Sequence, residues 1–149
     1  MSMFCAAHRP PRAGIDPIDS AAAALAVVSL AMRHPPVDET IALVLDPDRR
    51  GRTVVVVDGT TAPDAVLDVV ERVAGSIAAA GRTGCVVLAT VRPGGGPIDG
   101  DDERWLEASD LADDLGVDLL EWFVIAADTP SVAAHASCPR DLLGEAPRW

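Results

Sequence analysis

Between Leu88 and Trp105 the chain reads LATVRPGGGPIDGDDERW: an apolar run gives way to Arg92, Pro93 and three glycines, then to Asp99, Asp101, Asp102 and Glu103. Three chemistries use residues of these types at such spacing. Glycine-loop amides and a helix N-terminus can cradle an anion. Clustered carboxylates can hold a hard cation. Imidazoles joined by a carboxylate can hold zinc, which activates water.

The residues discriminate among these. Gly95 and Gly100 are separated by four residues, as in a P-loop, but the two positions that should then be Lys and Ser or Thr are Asp101 and Asp102. Carboxylates there repel phosphate, and the plainer reading is a solvated acidic helix start that complements the helix dipole. Zinc takes about four ligands, usually with imidazole or thiolate among them, and the only histidines are His8, His34 and His135, none near the loop. The four carboxylates could hold Mg²⁺ or Ca²⁺ weakly, without the alternating spacing of an EF-hand.

The elements that must position this loop can be read from periodicity. Residues 1–15 carry HRPPRAG and are expected to be a flexible lead-in to a single domain over 16–149. A helix is expected from Asp19 or Ser20 to Arg33, stopped by Pro35 and Pro36. Ile41–Asp46 and Thr53–Gly59, two β-branched runs joined by the polar DPDRRGR, form a hairpin. Thr61 is expected to cap a helix with Pro63 in its first turn and Asp64 at the capping-box position, running to Gly81 with Val66, Val69, Val70, Val73 and Ile77 on one face.

Cys85–Val91 is apolar throughout, as a central strand buried on both faces would be. A helix from Asp101 aligns Trp105, Ala108, Leu111, Ala112 and Leu115 on one stripe and ends at Gly116, before a strand over Val117–Ala126. Ser131–Ser137 is a weak edge-strand candidate. The order defines an α/β sandwich with a mixed β-sheet flanked by helices.

Composition narrows the function. Every basic residue is Arg, and Lys, Asn, Gln and Tyr are absent, a usage typical of GC-rich bacterial coding. A lysine Schiff base or P-loop lysine is therefore excluded. The net charge of −11 opposes nucleic acid, whose binding rests on cationic contacts and counterion release. Cys5, Cys85 and Cys138 form no CxxC pair, which suits a reducing, cytoplasmic setting. The apolar run Ala21–Met32 is too short to span a bilayer, and no membrane partner is expected. His135 with Asp141 and Ser131 or Ser137 has the residue types of a hydrolase triad but no nucleophile elbow. Cys85, inside an apolar strand, is expected to be buried rather than reactive.

Four segments from about Pro36 to Gly144 resemble the RadC-type branch of the JAB (MPN) metalloprotease-like family. DETIALVLD, Asp38–Asp46, resembles its acidic residue followed by a strand. GCVVLATVRPGG, Gly84–Gly95, resembles the strand that ends in His-x-His-Pro-Ser-Gly, and LGVDLLEWFVIA, Leu115–Ala126, resembles the strand after its last helix. Between the first two, the turn, second strand and helix follow in the family's order.

The resemblance implies a JAB/MPN-like fold, and in active members two histidines and an aspartate bind zinc while an upstream glutamate serves the metal-bound water. Here Thr90 and Arg92 stand at the histidine positions and Gly94 at the serine, while Pro93 and Gly95 keep the turn. Asp38 or Glu39 matches the acidic residue, and Asp101 or Glu103 the aspartate, in a loop shortened by about two residues.

A guanidinium where a dication would sit repels that dication and can pair with the same carboxylates. Arg92 is thus expected either to replace zinc by bridging Asp101 or Glu103, with Glu39 a further candidate, or to lie as an exposed loop residue. The reading that follows is a non-catalytic RadC/JAB-like pseudoenzyme with no zinc or other cofactor, serving as a protein-binding or assembly module whose partner could be a second copy of itself. The alternatives are a hydrolase with a rearranged metal site at residues 92–103, using Asp101, Asp102 and Glu103, and a DNA-repair-associated RadC-type protein. Ten acidic residues and one Arg between 99 and 121 give one region strong negative charge, which either confers solubility or steers a basic partner.

Overall fold

A computed structural model describes residues 10–126. In chain order these form α1 (Ala21–Ala31), β1 (Glu39–Leu45), β2 (Gly51–Asp58), α2 (Ala65–Ala79), β3 (Gly84–Arg92), α3 (Asp101–Asp114) and β4 (Val117–Ala126). The four strands make one mixed sheet in the order β2-β1-β3-β4. β1 is antiparallel to both β2 and β3, and β3 is parallel to β4. The fold is α/β, and the hairpin, the central apolar strand and the alternation of helices and strands that periodicity predicts are all present.

Each element has a local cause. Ser20 caps α1 by accepting from the Ala23 amide at 3.1 Å. Gly81, at φ +68, closes α2, and the Arg82 amide reaches back five residues to the Ile77 carbonyl at 3.1 Å. Gly116, at φ +76, turns the chain from α3 into β4. Gly84 begins β3 because an added Cβ would stand 2.5 Å from the Leu45 carbonyl oxygen.

Register assigns the two faces. Thr40 lies opposite Thr90 and Leu88 opposite Trp122, so Thr40, Leu88, Thr90, Arg92 and Trp122 point to one face. The Arg92 side chain meets the first turn of α3 on that face, and α2 and α3 pack against each other there. Glu39 and Ile41 point to the other face, where the backbone just beyond α1 meets Glu39. Trp105, Trp122, Phe123, Leu43 and Leu88 are almost completely buried in a continuous core. Burial of each contributes about 1.5–3 kcal/mol.

Four expectations need correction. α2 begins at Ala65, not at a Thr61 cap. Its N-cap residue is Asp64, whose side chain makes no capping bond because it is directed to an arginine of α3, and Pro63 precedes the helix. The helix start at Asp101 is not a solvated acidic cluster: Asp102 and Glu103 are exposed, but Asp101 is buried. Leu115 does not continue the buried stripe; it is exposed as the C-cap of α3. The lead-in expected to be flexible through residue 15 is hydrogen-bonded from Arg12 onward, with the Gly14 amide donating to the Gly51 carbonyl and the Ile18 amide to that of Arg49. The segment Ser131–Ser137, with His8, His135, Cys138 and Trp149, lies outside the described residues.

Candidate functional site

β3 delivers Arg92 at its last position, and a turn follows in which the Gly95 amide donates to the Arg92 carbonyl at 3.1 Å. Gly94, Gly95 and Gly96 have room for a Cβ and none has positive φ, so this turn does not require glycine. Gly100 differs: at φ +90 it is the N-cap of α3, and the Arg104 guanidinium lies over it. The loop therefore enters α3 through one glycine in a left-handed conformation that other residues rarely adopt and presents Asp101 to Arg92.

Arg92 and Asp101 form a forked pair. Nη1 donates to Oδ2 at 2.8 Å and Nη2 to Oδ1 at 3.2 Å, with side chains only 14% and 3% exposed. Arg92 Nη1 also donates to the Gly96 carbonyl at 3.1 Å, lacing the loop to its own strand. Asp101 accepts further from the Ile98 amide at 2.9 Å and from Arg104 Nη1 at 3.1 Å. Arg104 then reaches the Asp99 carbonyl at 3.0 Å and, through Nε, Asp64 at the start of α2 at 2.9 Å. Two guanidinium cations and two carboxylates thus alternate across β3, α3 and α2.

Burial pushes the Asp101 carboxyl upward, but the bonds from Arg92, Ile98 and Arg104 outweigh it and hold the carboxyl below the ordinary aspartate value. Arg104 is raised, chiefly by its bond to Asp64.

Beside this network lies a chain of hydroxyls. Trp122 Nε1 donates to Thr90 Oγ1 at 2.9 Å, Thr40 Oγ1 donates to Thr60 Oγ1 at 3.0 Å, and Thr90 and Thr40 meet at 3.3 Å. With its one proton given to Thr60, Thr40 accepts from Thr90. The Arg92 guanidinium carbon stands 5.9 Å from the Trp122 ring centroid, within cation–π range.

The structure brings Thr90, Arg92 and Asp101 together and separates Glu39 and Glu103 from them. Glu103 is exposed. Glu39 pairs with Val91 in register and so projects to the opposite face from Thr90. That overturns Glu39 as a partner of Arg92: one residue of strand register reverses the face. Glu39 is fully buried there, one oxygen accepting from the Arg33 amide at 3.0 Å and the other without a hydrogen-bond partner. The neighbours Glu121 and Trp122 likewise point to opposite faces.

A threonine hydroxyl, a guanidinium and one carboxylate do not fit a zinc ion, because arginine is not a ligand and occupies the carboxylate a metal would need. Among the described residues no three His, Cys, Asp or Glu side chains converge as metal ligands. No described helix is long and apolar enough to cross a membrane.

Sequence reading missed Arg104, Asp64, Thr40 and Thr60. Arg104, the one cation in the acidic stretch 99–121, was the available signal. No protein-family model matches the chain, and no curated protein or solved structure does either.

Proposed function

We propose that the chain is a non-catalytic RadC/JAB-like domain in which Arg92 takes the place of the zinc ion, leaving a binding or assembly module. The observation that carries this reading is the buried forked pair between Arg92, which the resemblance sets at a histidine-ligand position, and Asp101, one of its two candidates for the aspartate ligand. The guanidinium supplies fixed positive charge to the aspartate, spans the loop to Gly96 and needs no ion to hold β3 against α3. Thr90, at the other histidine position, is committed to Trp122 and Thr40. The groups that would perform hydrolysis have become groups that hold the domain's shape.

Under the resemblance, members without the metal ligands serve as partners or scaffolds, so the expected activity is protein binding. Metal analysis of the purified protein together with recovery of bound protein from the native host tests it. Little zinc and a stoichiometric protein partner support the reading. One equivalent of tightly held zinc contradicts it.

A further inference from the structure

Strand β2 lies at the edge of the sheet, and among the described residues its partner-free side is covered only at its start. Gly14 donates to the Gly51 carbonyl, Ile18 to that of Arg49, and Pro17 bridges Arg50. From Arg52 onward no described residue pairs with this edge: Arg52, Thr53 and Asp58 are exposed, and Val54 and Val56 are 46% and 40% exposed. An open, valine-rich edge is a template for strand pairing that soluble proteins usually blunt.

The backbone phase of this edge can be read. Gly59 donates to the Asp38 carbonyl at 2.9 Å, one step beyond the paired Glu39 and Asp58. Antiparallel neighbours alternate in the direction of their peptide groups. Thr53, Val55 and Val57 are in phase with Gly59 and turn theirs toward β1, so Val54, Val56 and Asp58 turn theirs to the open side. By the pleat, Val54, Val56 and Asp58 share one face, while Val55 and Val57 pack toward the core; a bulge opposite Val44 and Leu45 leaves the exposed Arg52 without a cross-strand partner on β1.

We infer that β2 pairs antiparallel with β2 of a second copy about a two-fold axis at Val55. In this register Val54 faces the partner's Val56, Arg52 faces the partner's Asp58, and each relation occurs twice, as an isologous interface requires. The outward peptide groups of Val54 and Val56 then meet in about four hydrogen bonds. Shifting the register by two residues one way loses both charge matches, and the other way sets Asp58 against Arg50, whose edge Pro17 already covers.

Charge complementarity selects this occupant. Arg52 has no ion pair among the described residues, and Asp58, 52% exposed, engages Arg33 through Oδ2 alone. The inference deepens the assembly-module reading by naming the partner as a second copy, and it rests on that reading.

The test uses the full chain with Cys5→Ser and Cys138→Ser. Under mild oxidation Val55→Cys should give a disulfide-linked dimer, since residues at a non-hydrogen-bonded antiparallel pair have Cβ atoms about 4.5–5.5 Å apart. Thr53→Cys, paired with the partner's Val57, should not link. In sedimentation, Arg52→Asp or Asp58→Arg should weaken dimerisation about tenfold, and the two together should restore it. A protein that stays monomeric up to about 1 mM, or equal linking at Thr53 and Val55, would overturn the inference. A strict monomer leaves the metal-replacement reading standing, whereas bound zinc defeats that reading without touching the dimer, so the two failures are distinguishable.

Discussion

Arg92 at the end of β3 and Asp101 at the start of α3 hold each other by two hydrogen bonds of 2.8 and 3.2 Å across the glycine loop that separates them. The pair closes the loop, anchors the helix and keeps a buried carboxylate charged. Each partner is secured again from another direction, Arg92 by the Gly96 carbonyl and Asp101 by Arg104 and Ile98.

Removing one member should therefore strand the other. Arg92→Ala is expected to destabilise the fold by about 2–4 kcal/mol, because Asp101 remains buried with half its cationic partners gone. Arg92→Lys should lose about 1–2 kcal/mol, since an ammonium cannot make the fork. Urea unfolding checks both, and equal stability of all three proteins would contradict the account.

The same pair sets a pH dependence. Asp101 titrates below its unfolded value, so its stabilisation is fully present above the unfolded pKa of about 3.9 and is lost as pH falls through the lower folded value. The stability gap between the native protein and Asp101→Asn should be constant near neutrality and close as pH falls below the ordinary aspartate value of about 3.9. A gap that widens on acidification would show that the carboxylate is not held in its charged form.

If the position descends from a metal site, ligands should be restorable. Thr90→His with Arg92→His places two imidazoles on the face that Asp101 addresses, and the double variant should take up about one zinc. Adding Asp101→Asn should weaken that uptake by about tenfold or more. No zinc binding by a folded double variant would argue against the inherited geometry.

The glycines separate turn sequence from turn need. Gly84→Ala should destabilise by about 2 kcal/mol or more, because its Cβ would press on the Leu45 carbonyl, which the sheet holds in place. Gly95→Ala should change stability by less than about 0.5 kcal/mol, since the site is open and φ is ordinary. Denaturation midpoints decide between these outcomes.

Much of this fold is legible one element at a time. Cys85–Val91 reads as a two-sided buried strand and is one, because alternation fails only when both faces are covered. Trp105, Ala108 and Ala112 show the buried stripe of α3 by their spacing. What resisted reading is non-local. Asp64 looks like a capping residue, and only the approach of α2 to α3 turns it toward Arg104, forty positions away. Asp101 looks solvated among four acidic residues until the turn of the loop buries it alone. The choice of Asp101 over Glu103 as the partner of Arg92 depends on which side of the first helical turn faces the sheet. The exclusion of Glu39 depends on a strand register that a single residue could reverse.

Arg92 is proposed to stand in place of a metal ion. The most direct measurement is zinc titration of the metal-stripped native protein by calorimetry, with Arg92→Ala beside it. The account predicts no stoichiometric binding by the native chain and no zinc-dependent rise in its unfolding temperature. Binding of one zinc ion that raises the unfolding temperature and is lost on Asp101→Asn would contradict it.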